Sequence, residues 1–366
     1  MSSDDPISSR ASAAPAAAHP AQAEPAAPER QDDVDAAAAA AADEASPPGW
    51  RTYRVDHETV YDYAPPVEVA HHLAHLQPVQ DGGQRLLAHR CDIAPAPAHR
   101  RAAVDAFGNL RLAFSLDQPH ARLRVAASSV VQVRERPAPT TQQSALTWEA
   151  ARDRLAYRAG EPQDAAAVFR FPSPYVPLHA ELADYARLSF TPGRPLAEAA
   201  TELMRRIHAD FTYAAASTDV STPVLQAFEQ KRGVCQDFAH VLLGCLRAMG
   251  LAARYVSGYL LTHRPDEDGL PGDAASPAWI GADASHAWVA VHLPVVDPQH
   301  GAAWLELDPT NDCIAGIEHI RVALGRDYGD VTPLRGVIRG GASHTLSVRV
   351  TTRLLHELPD TASHGG

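Results

Sequence analysis

The chain of 366 residues is long enough for two units with real cores, and its formal net charge of −12 falls mostly on residues 1–50, where nine acids and two bases leave only −5 for the rest. With no basic stripe to hold a phosphate backbone, nucleic acid is not an expected partner. Cys91, Cys235, Cys245 and Cys313 are too scattered for a disulfide framework or a zinc ribbon, and there is neither a signal-peptide pattern nor an apolar run of membrane-spanning length, so a cytoplasmic protein with no membrane partner and no cofactor is expected.

Residues 1–48 are mostly Ala, Pro, Asp and Glu, with almost no large apolar side chains. Such a segment cannot offset the entropy of ordering, so a disordered tail is predicted, with at most a fleeting helix over Ala36–Ala42. From Tyr53 the period becomes two: Tyr53, Val55, His57, Thr59, Tyr61 and Tyr63 alternate with polar residues and mark a half-buried strand. Leu86–Ile93, Leu110–Leu116 and Leu123–Val133 read as further strands, separated by turn signals such as Asp81-Gly82-Gly83 and Phe107-Gly108-Asn109. A β-sandwich domain over residues 50–137 is the expectation.

Pro137-Ala138-Pro139-Thr140 ends that pattern. Helical periodicity over Trp148–Leu155 and Leu178–Leu188 makes 138–189 a helical connector. A helix follows over Leu196–Ile207, and Thr222-Pro223 opens a short one. The central helix runs from about Val234 to Met249, with Phe238, Leu242, Cys245 and Met249 on one stripe and Gly250 as its stop. Arg254–Leu261, His286–Leu293, Trp304–Asp308, His319–Leu324 and Leu346–Arg353 read as strands. Helices followed by an antiparallel run make residues 190–353 an α+β domain, with 354–366 a disordered end.

Cys235 opens the central helix, where exposed N–H groups and the helix dipole favour a thiolate. Suppose His286–Leu293 and Trp304–Asp308 form a hairpin centred on Asp297-Pro298. His286 then falls opposite Asp308, Trp288 opposite Glu306 and Ala290 opposite Trp304, all on one face. Thiol, imidazole and carboxylate are the parts of a nucleophile, its base and the group that orients the base. Cys245 sits mid-helix on the apolar stripe and reads as core; His292 shares the face of His286 but lies near the turn and is the weaker candidate for the base. Tyr213 is a candidate oxyanion donor. Gln236, Asp237 and Trp288 are supporting candidates, Asp237 and His240 as braces of the helix start and Trp288 as a shield or substrate wall. His71, His72 and His75 have a spacing that metal ligands on a helix would share, but they suit a strand or a solvated surface equally, and no metal is expected.

Gly233-Val234-Cys235-Gln236-Asp237-Phe238-Ala239-His240, Arg254-Tyr255-Val256-Ser257-Gly258-Tyr259, His286-Ala287-Trp288-Val289 and Asp308-Pro309-Thr310-Asn311 resemble the core motifs of the bacterial transglutaminase-like superfamily. His57-Glu58-Thr59-Val60-Tyr61 and Asp105-Ala106-Phe107-Gly108-Asn109 resemble the β-rich domain that precedes this core in bacterial members. The resemblance spans about residues 50–353. It implies a papain-like core with Cys235 as nucleophile, His286 as general base and Asp308 as orienting acid. The stretches His263–Ala284 and Val295–Ala303 are longer than the family pattern. The superfamily includes transglutaminases, peptidases, amidases and inactive proteins. The expected function is a peptidase or amidase acting on a peptide or protein substrate. A protein-glutamine γ-glutamyltransferase and a non-catalytic module that binds a protein partner through the N-terminal domain are the alternatives.

Overall fold

A computed structural model describes residues 31–43, 46–136, 139–161, 163–215, 220–262, 279–281, 284–294, 303–341 and 343–356. The strands, in chain order, are β1 (Trp50–Ala74), β2 (Gln84–Ala94), β3 (His99–Val104), β4 (Leu110–Leu116), β5 (His120–Arg134), β6 (Thr212–Tyr213), β7 (Arg232–Gly233), β8 (Ala253–Leu260), β9 (His286–Leu293), β10 (Ala303–Asp308), β11 (Cys313–Ile314), β12 (His319–Gly325), β13 (Leu334–Gly340) and β14 (Ser343–His356). The α-helices are α1 (Gln31–Asp43), α2 (Thr141–Ala145), α3 (Trp148–Arg154), α4 (Ala180–Arg187), α5 (Leu196–Asp210), α6 (Val224–Gln230), α7 (Cys235–Ala248) and α8 (Tyr328–Val331).

The N-terminal unit is organised by β1. Its first half pairs with β5 on one side and β14 on the other; its second half pairs with β4 and β13. The partners change at Pro65-Pro66, where two residues have no N–H to donate to a ladder. The two halves face one another across a core of Val67, Ala70, Leu123, Val125, Phe114 and Leu116. The layers of the predicted sandwich are thus parts of one seven-stranded sheet that share their longest strand.

The second unit sets helices against a five-stranded sheet of order β11-β10-β9-β8-β12. Helix α7 lies at its centre, buried from Gln236 to Arg247. Its core joins Phe238, Leu242 and Leu246 to Val289 and Val291 of β9, and to Leu203 and Ile207 of α5. Residues from the predicted connector, Trp148, Leu182 and Ala186, enter the same core, so this stretch is part of the helical layer. Gly244 permits that packing, because a Cβ there would lie 2.5 Å from Leu182 Cδ1.

The structure changes some readings of the sequence and decides one that was left open. Leu346–Arg353 belongs to β14 and pairs with β1, not with the sheet of the second unit; alternation marks a strand but does not name its partner. Strand β1 continues past Tyr63 to Ala74, so His71 and His72 point to opposite faces of one strand and do not converge. His75 follows the strand, with Nδ1 on Thr332 O at 3.1 Å. The tail also differs. Residues 31–43 form α1, which seats Val34 and Ala38 on Ala88 and Val130, while Asp35 pairs with Arg54 at 2.7 Å. Residues 354–356, expected to begin a disordered end at 354–366, instead continue β14, while residues 1–30 and 357–366 lie outside the described residues.

Val34 is fully buried. Deleting residues 1–43 is therefore expected to lower the melting midpoint by several degrees, at about 2–4 °C per kcal/mol lost, and Val34→Ala alone to cost about 1–2 kcal/mol. Calorimetry of the full and shortened chains checks this; coincident midpoints would mean that α1 contributes nothing to the fold.

Candidate active site

Cys235 is placed by the strand-to-helix turn before it. Strand β7 pairs in parallel with β6, Tyr213 against Gly233, and α7 starts two residues later. Asp237 Oδ2 accepts the N–H of Val234 at 2.8 Å, so one of the orphan donors at the helix start is satisfied from within the helix. Gly233 leaves room for this, since a Cβ there would lie 2.4 Å from the same oxygen. Gln236 donates its side-chain amide to Val220 O at 3.2 Å. His240 is buried and accepts from Tyr328 N at 3.2 Å; burial, with the Arg247 charge adding to it, pushes its imidazole down to about 3. Asp237 and His240 therefore brace the turn. The Cys235 side chain is half-buried, with Sγ 4.0 Å from Ser285 O.

The predicted hairpin register is two residues off. Glu306 pairs with Ala290 and Leu307 with Val289. A slide of two keeps every side chain on its own face, so alternation does not detect it. The contacts run diagonally instead: His286 Nε2 lies 2.8 Å from Asp308 Oδ2, and Trp288 Nε1 donates to Glu306 Oε2 at 2.7 Å. Trp288 is fully buried beneath the His286 ring, the centroids 6.1 Å apart and near parallel, and it does not line the cleft. Its indole fits because residue 258 is glycine; a Cβ there would sit 2.3 Å from the ring.

Asp308 has no solvent exposure. Its Oδ1 accepts from the N–H groups of Thr310 at 2.9 Å and Asn311 at 3.2 Å. Its Oδ2 takes His286, the Asn311 amide at 2.8 Å and His319 Nε2 at 3.3 Å. Burial alone would raise this carboxyl; the charge and hydrogen bond of His286, then those of His319, hold it well below the usual carboxylate range. Burial would likewise lower His286. The Asp308 charge and hydrogen bond outweigh it, the Cys235 sulfur adds to them, and the imidazole is raised from 6.5 to about 10. With Nε2 committed to Asp308, Nδ1 has no hydrogen-bond partner of standard geometry and is the nitrogen left for the thiol.

His319 is the residue that sequence reasoning missed as part of the site; Asn311 stands in the Asp308-Pro309-Thr310-Asn311 motif as an alternative to Asp308 for orienting the base. Asn311 follows Asp308 at turn spacing, which is a legible signal. His319 is carried in by the loop after β11, and nothing local announces it. Asp308, Cys313 and His319 offer ligand atoms within 4.8 Å of one another. However, His319 Nδ1 accepts the Gly316 N–H at 3.3 Å, which leaves the proton on Nε2, facing Asp308. The donor set therefore suits a hydrogen-bond relay better than a metal.

Cys235 and His286 open onto a cleft of about 310 Å³ between the two units. One wall comes from Tyr213, Gln236, Tyr255 and Tyr328; the other comes from the N-terminal sheet, through Thr59 and Tyr61 of β1 and Leu346 and Val348 of β14. No Asp, Glu, Lys or Arg is among the described lining residues. His57, at the base of this wall, contacts Tyr259 Oη at 3.0 Å and Thr59 Oγ1 at 2.8 Å, and burial pushes it down to about 4. A larger cavity of about 830 Å³ lies on the N-terminal sheet and includes His71 and His72, but none of the thiol-site residues.

Residues 53–132 match the bacterial transglutaminase-like N-terminal region, and residues 185–309 match the transglutaminase-like superfamily core. The chain belongs to the transglutaminase-like superfamily. A relative from Mycobacterium tuberculosis, itself uncharacterized, is 42% identical over 293 residues, which is 79% of this chain and 88% of the relative. Another uncharacterized relative, from Mycobacterium leprae, is 34% identical over 311 residues, covering 83% and 99%. Among solved structures, one from Cytophaga hutchinsonii whose assignment as a cysteine protease is provisional superposes with a TM-score of 0.64 at 17% identity, covering 84% of this chain and 92% of that one. This last likeness concerns the fold. Of the stretches His263–Ala284 and Val295–Ala303, flagged as long for the superfamily, residues 263–278, 282–283 and 295–302 lie outside the described residues.

The His286–Asp308 pair carries a pH signature. Because the folded imidazole is raised from 6.5 to about 10, the stability contributed by its proton is complete below about pH 6.5 and lost as pH rises through about 10. Asp308, held low, contributes above its ordinary 3.8 and loses that contribution as pH falls below it. Asp308→Asn is expected to cost about 3–5 kcal/mol at pH 7, because it leaves a buried charge unpaired. The gap from the unsubstituted chain should narrow above pH 9. Urea melts over a pH series test this, and a gap that does not change with pH would refute the charged pair.

Proposed function

We propose that the protein is a thiol-dependent acyl-transfer enzyme that hydrolyses amide bonds, a peptidase or amidase. The observation that carries this reading is the buried His286–Asp308 pair, with Nδ1 left free toward a half-exposed thiol at a helix start in a cleft. In this reading the Cys235 thiolate, paired with a His286 imidazolium that carries a proton on Nδ1, attacks the amide carbonyl carbon. The tetrahedral oxyanion receives the Cys235 backbone N–H and, as second donor, the Tyr213 hydroxyl. The C–N bond then breaks, and the leaving amine takes the proton from His286. Water attacks the thioester with His286 as base; the C–S bond breaks and the acid leaves. Asp308 holds the ring orientation and balances the imidazolium throughout. Gln236 gives one amide N–H to Val220 O, which holds its side chain at the edge of the cleft.

Hydrolysis is preferred to transamidation on the chemistry of the cleft. An amine acceptor needs a channel that excludes water, and a cationic one is drawn by a carboxylate. The described lining supplies no acidic side chain.

Two measurements test the proposal. Iodoacetamide near neutral pH should label Cys235 first, since burial pushes Cys91 up to about 11 and Cys245 and Cys313 up to about 12. A glutamine-containing peptide supplied with excess labelled cadaverine separates the reactions. Release of free acid that disappears in Cys235→Ala, and that falls about 10²–10⁴-fold in His286→Ala, is the expected result. Faster, Cys235-dependent incorporation of the amine would make the protein a transglutaminase. Silence in both assays would favour a non-catalytic binding module.

A further inference from the structure

Strand β14 joins β1 on one side only. Over residues 343–349 every side chain is exposed, although each residue from Ser343 to Arg349 is in register with β1. Farther along, Thr352 O accepts from Thr262 N at 3.1 Å, and Thr352 N donates to Thr262 Oγ1 at 2.8 Å. The backbone groups of Thr352 therefore point away from β1. In an antiparallel ladder the direction alternates residue by residue, and the register runs without a bulge from Leu354 to Ser343. Val350, Val348, Leu346 and His344 consequently turn their N–H and C=O groups outward, while Arg349, Ser347 and Thr345 turn theirs to β1. Among the described residues no strand pairs with that outward edge.

Edges of this kind are normally blunted by Lys, Pro, a bulge or an inward charge. The run Ser343-His344-Thr345-Leu346-Ser347-Val348 has none of these. Its side chains also matter. Leu346, 53% exposed, and Val348, 38% exposed, stand on the same face as Tyr61 and Thr59 and line the cleft that holds Cys235. The open edge is thus continuous with the candidate active site.

We propose that β14 is the docking edge for the substrate, an extended stretch of polypeptide that adds as a further strand. Its main chain pairs with the outward groups of Leu346 and Val348. Alternate side chains then face the apolar wall, and the carbonyl to be attacked is carried into the cleft. Thr262 closes the edge at Thr352, which leaves room for a few residues of pairing. The chemistry rests on the thiol-hydrolase reading above, but the pairing is measured without it.

The probe is dye-labelled β-casein, an unfolded chain, and the host is the Cys235→Ala protein. Fluorescence anisotropy should report binding. Adding Val348→Pro, which removes an outward N–H not used by β1, should weaken binding about tenfold, whereas Val348→Ala, which keeps the N–H, should change it less than threefold. Proline is tolerated where the N–H faces outward from an edge, and the melting midpoint of the variant checks the fold. If the variant does not fold, a casein nonapeptide and its alternately N-methylated form serve instead; only the parent should compete with labelled casein. Equal binding by the proline variant and its parent would overturn the proposal, as would absence of casein binding to Cys235→Ala. A dimer that dissociates in Val348→Pro and ignores casein would give the edge to a second copy and also overturn it. Edge-dependent binding with no cleavage by the unsubstituted protein would instead leave the docking intact and refute the hydrolase reading.

Discussion

A carboxylate with no access to water is the constraint on which the site depends. Removing such an ion from water costs several kcal/mol unless its lone pairs are filled by donors of good geometry. Asp308 meets this condition through two backbone N–H groups of its own turn, one amide and two imidazoles. The donors come from three places: Thr310 and Asn311 from the turn, His286 from β9, His319 from the start of β12. The charge therefore fixes three segments at once. The His286 ring is held in a single orientation as a consequence, with Nε2 bound to Asp308 and Nδ1 without a hydrogen-bond partner.

A second buried ion ties this region to the N-terminal sheet. Glu306 accepts from the Trp288 indole and pairs with Arg321 and Arg136, each at 3.3 Å. Burial would raise its carboxyl, but Arg136 and Arg321, with the indole and Arg254 adding, hold it below the ordinary range. Arg321 continues to Asp81 at 2.7 Å, and its backbone N–H and C=O are both bound by the Gln84 side chain, which takes the place of a neighbouring strand. Arg136 donates to the carbonyls of Ala315 and His319. Arg136, just past the end of β5, thus holds the loop that delivers His319 to Asp308. The first sheet supplies a wall of the cleft, so the two units build one site between them.

What was legible in the chain is what local periodicity records. The helix opening at Cys235 and the shared face of His286, Trp288, Glu306 and Asp308 follow from periods of 3.6 and 2, and they survive a register error of two because parity is unchanged. The residues that escaped notice arrive by long-range routes. His319 comes through a loop that crosses the sheet, and Leu346 and Val348 come through a strand that returns to the first unit. Helix α1 escaped for a different reason: its packing face is Val34 with alanines, and small side chains leave little hydropathy contrast in a segment rich in Ala and acids.

The return of β14 to β1 also bears on how the chain is made. Ala64 pairs with Ser343 and Thr52 with His356, so the first strand synthesised waits for one of the last. At roughly 5–20 residues per second, that partner emerges tens of seconds later. Until then the first half of β1 has one side satisfied by β5 and the other bare, the kind of unpaired edge that invites wrong partners during translation. The second unit, whose helices and five strands lie between those two ends, is complete before the first sheet closes around it. Such a non-local closure gives high contact order and slow final assembly. It also makes the last strand of the fold, the one that borders the cleft, the step that finishes the site.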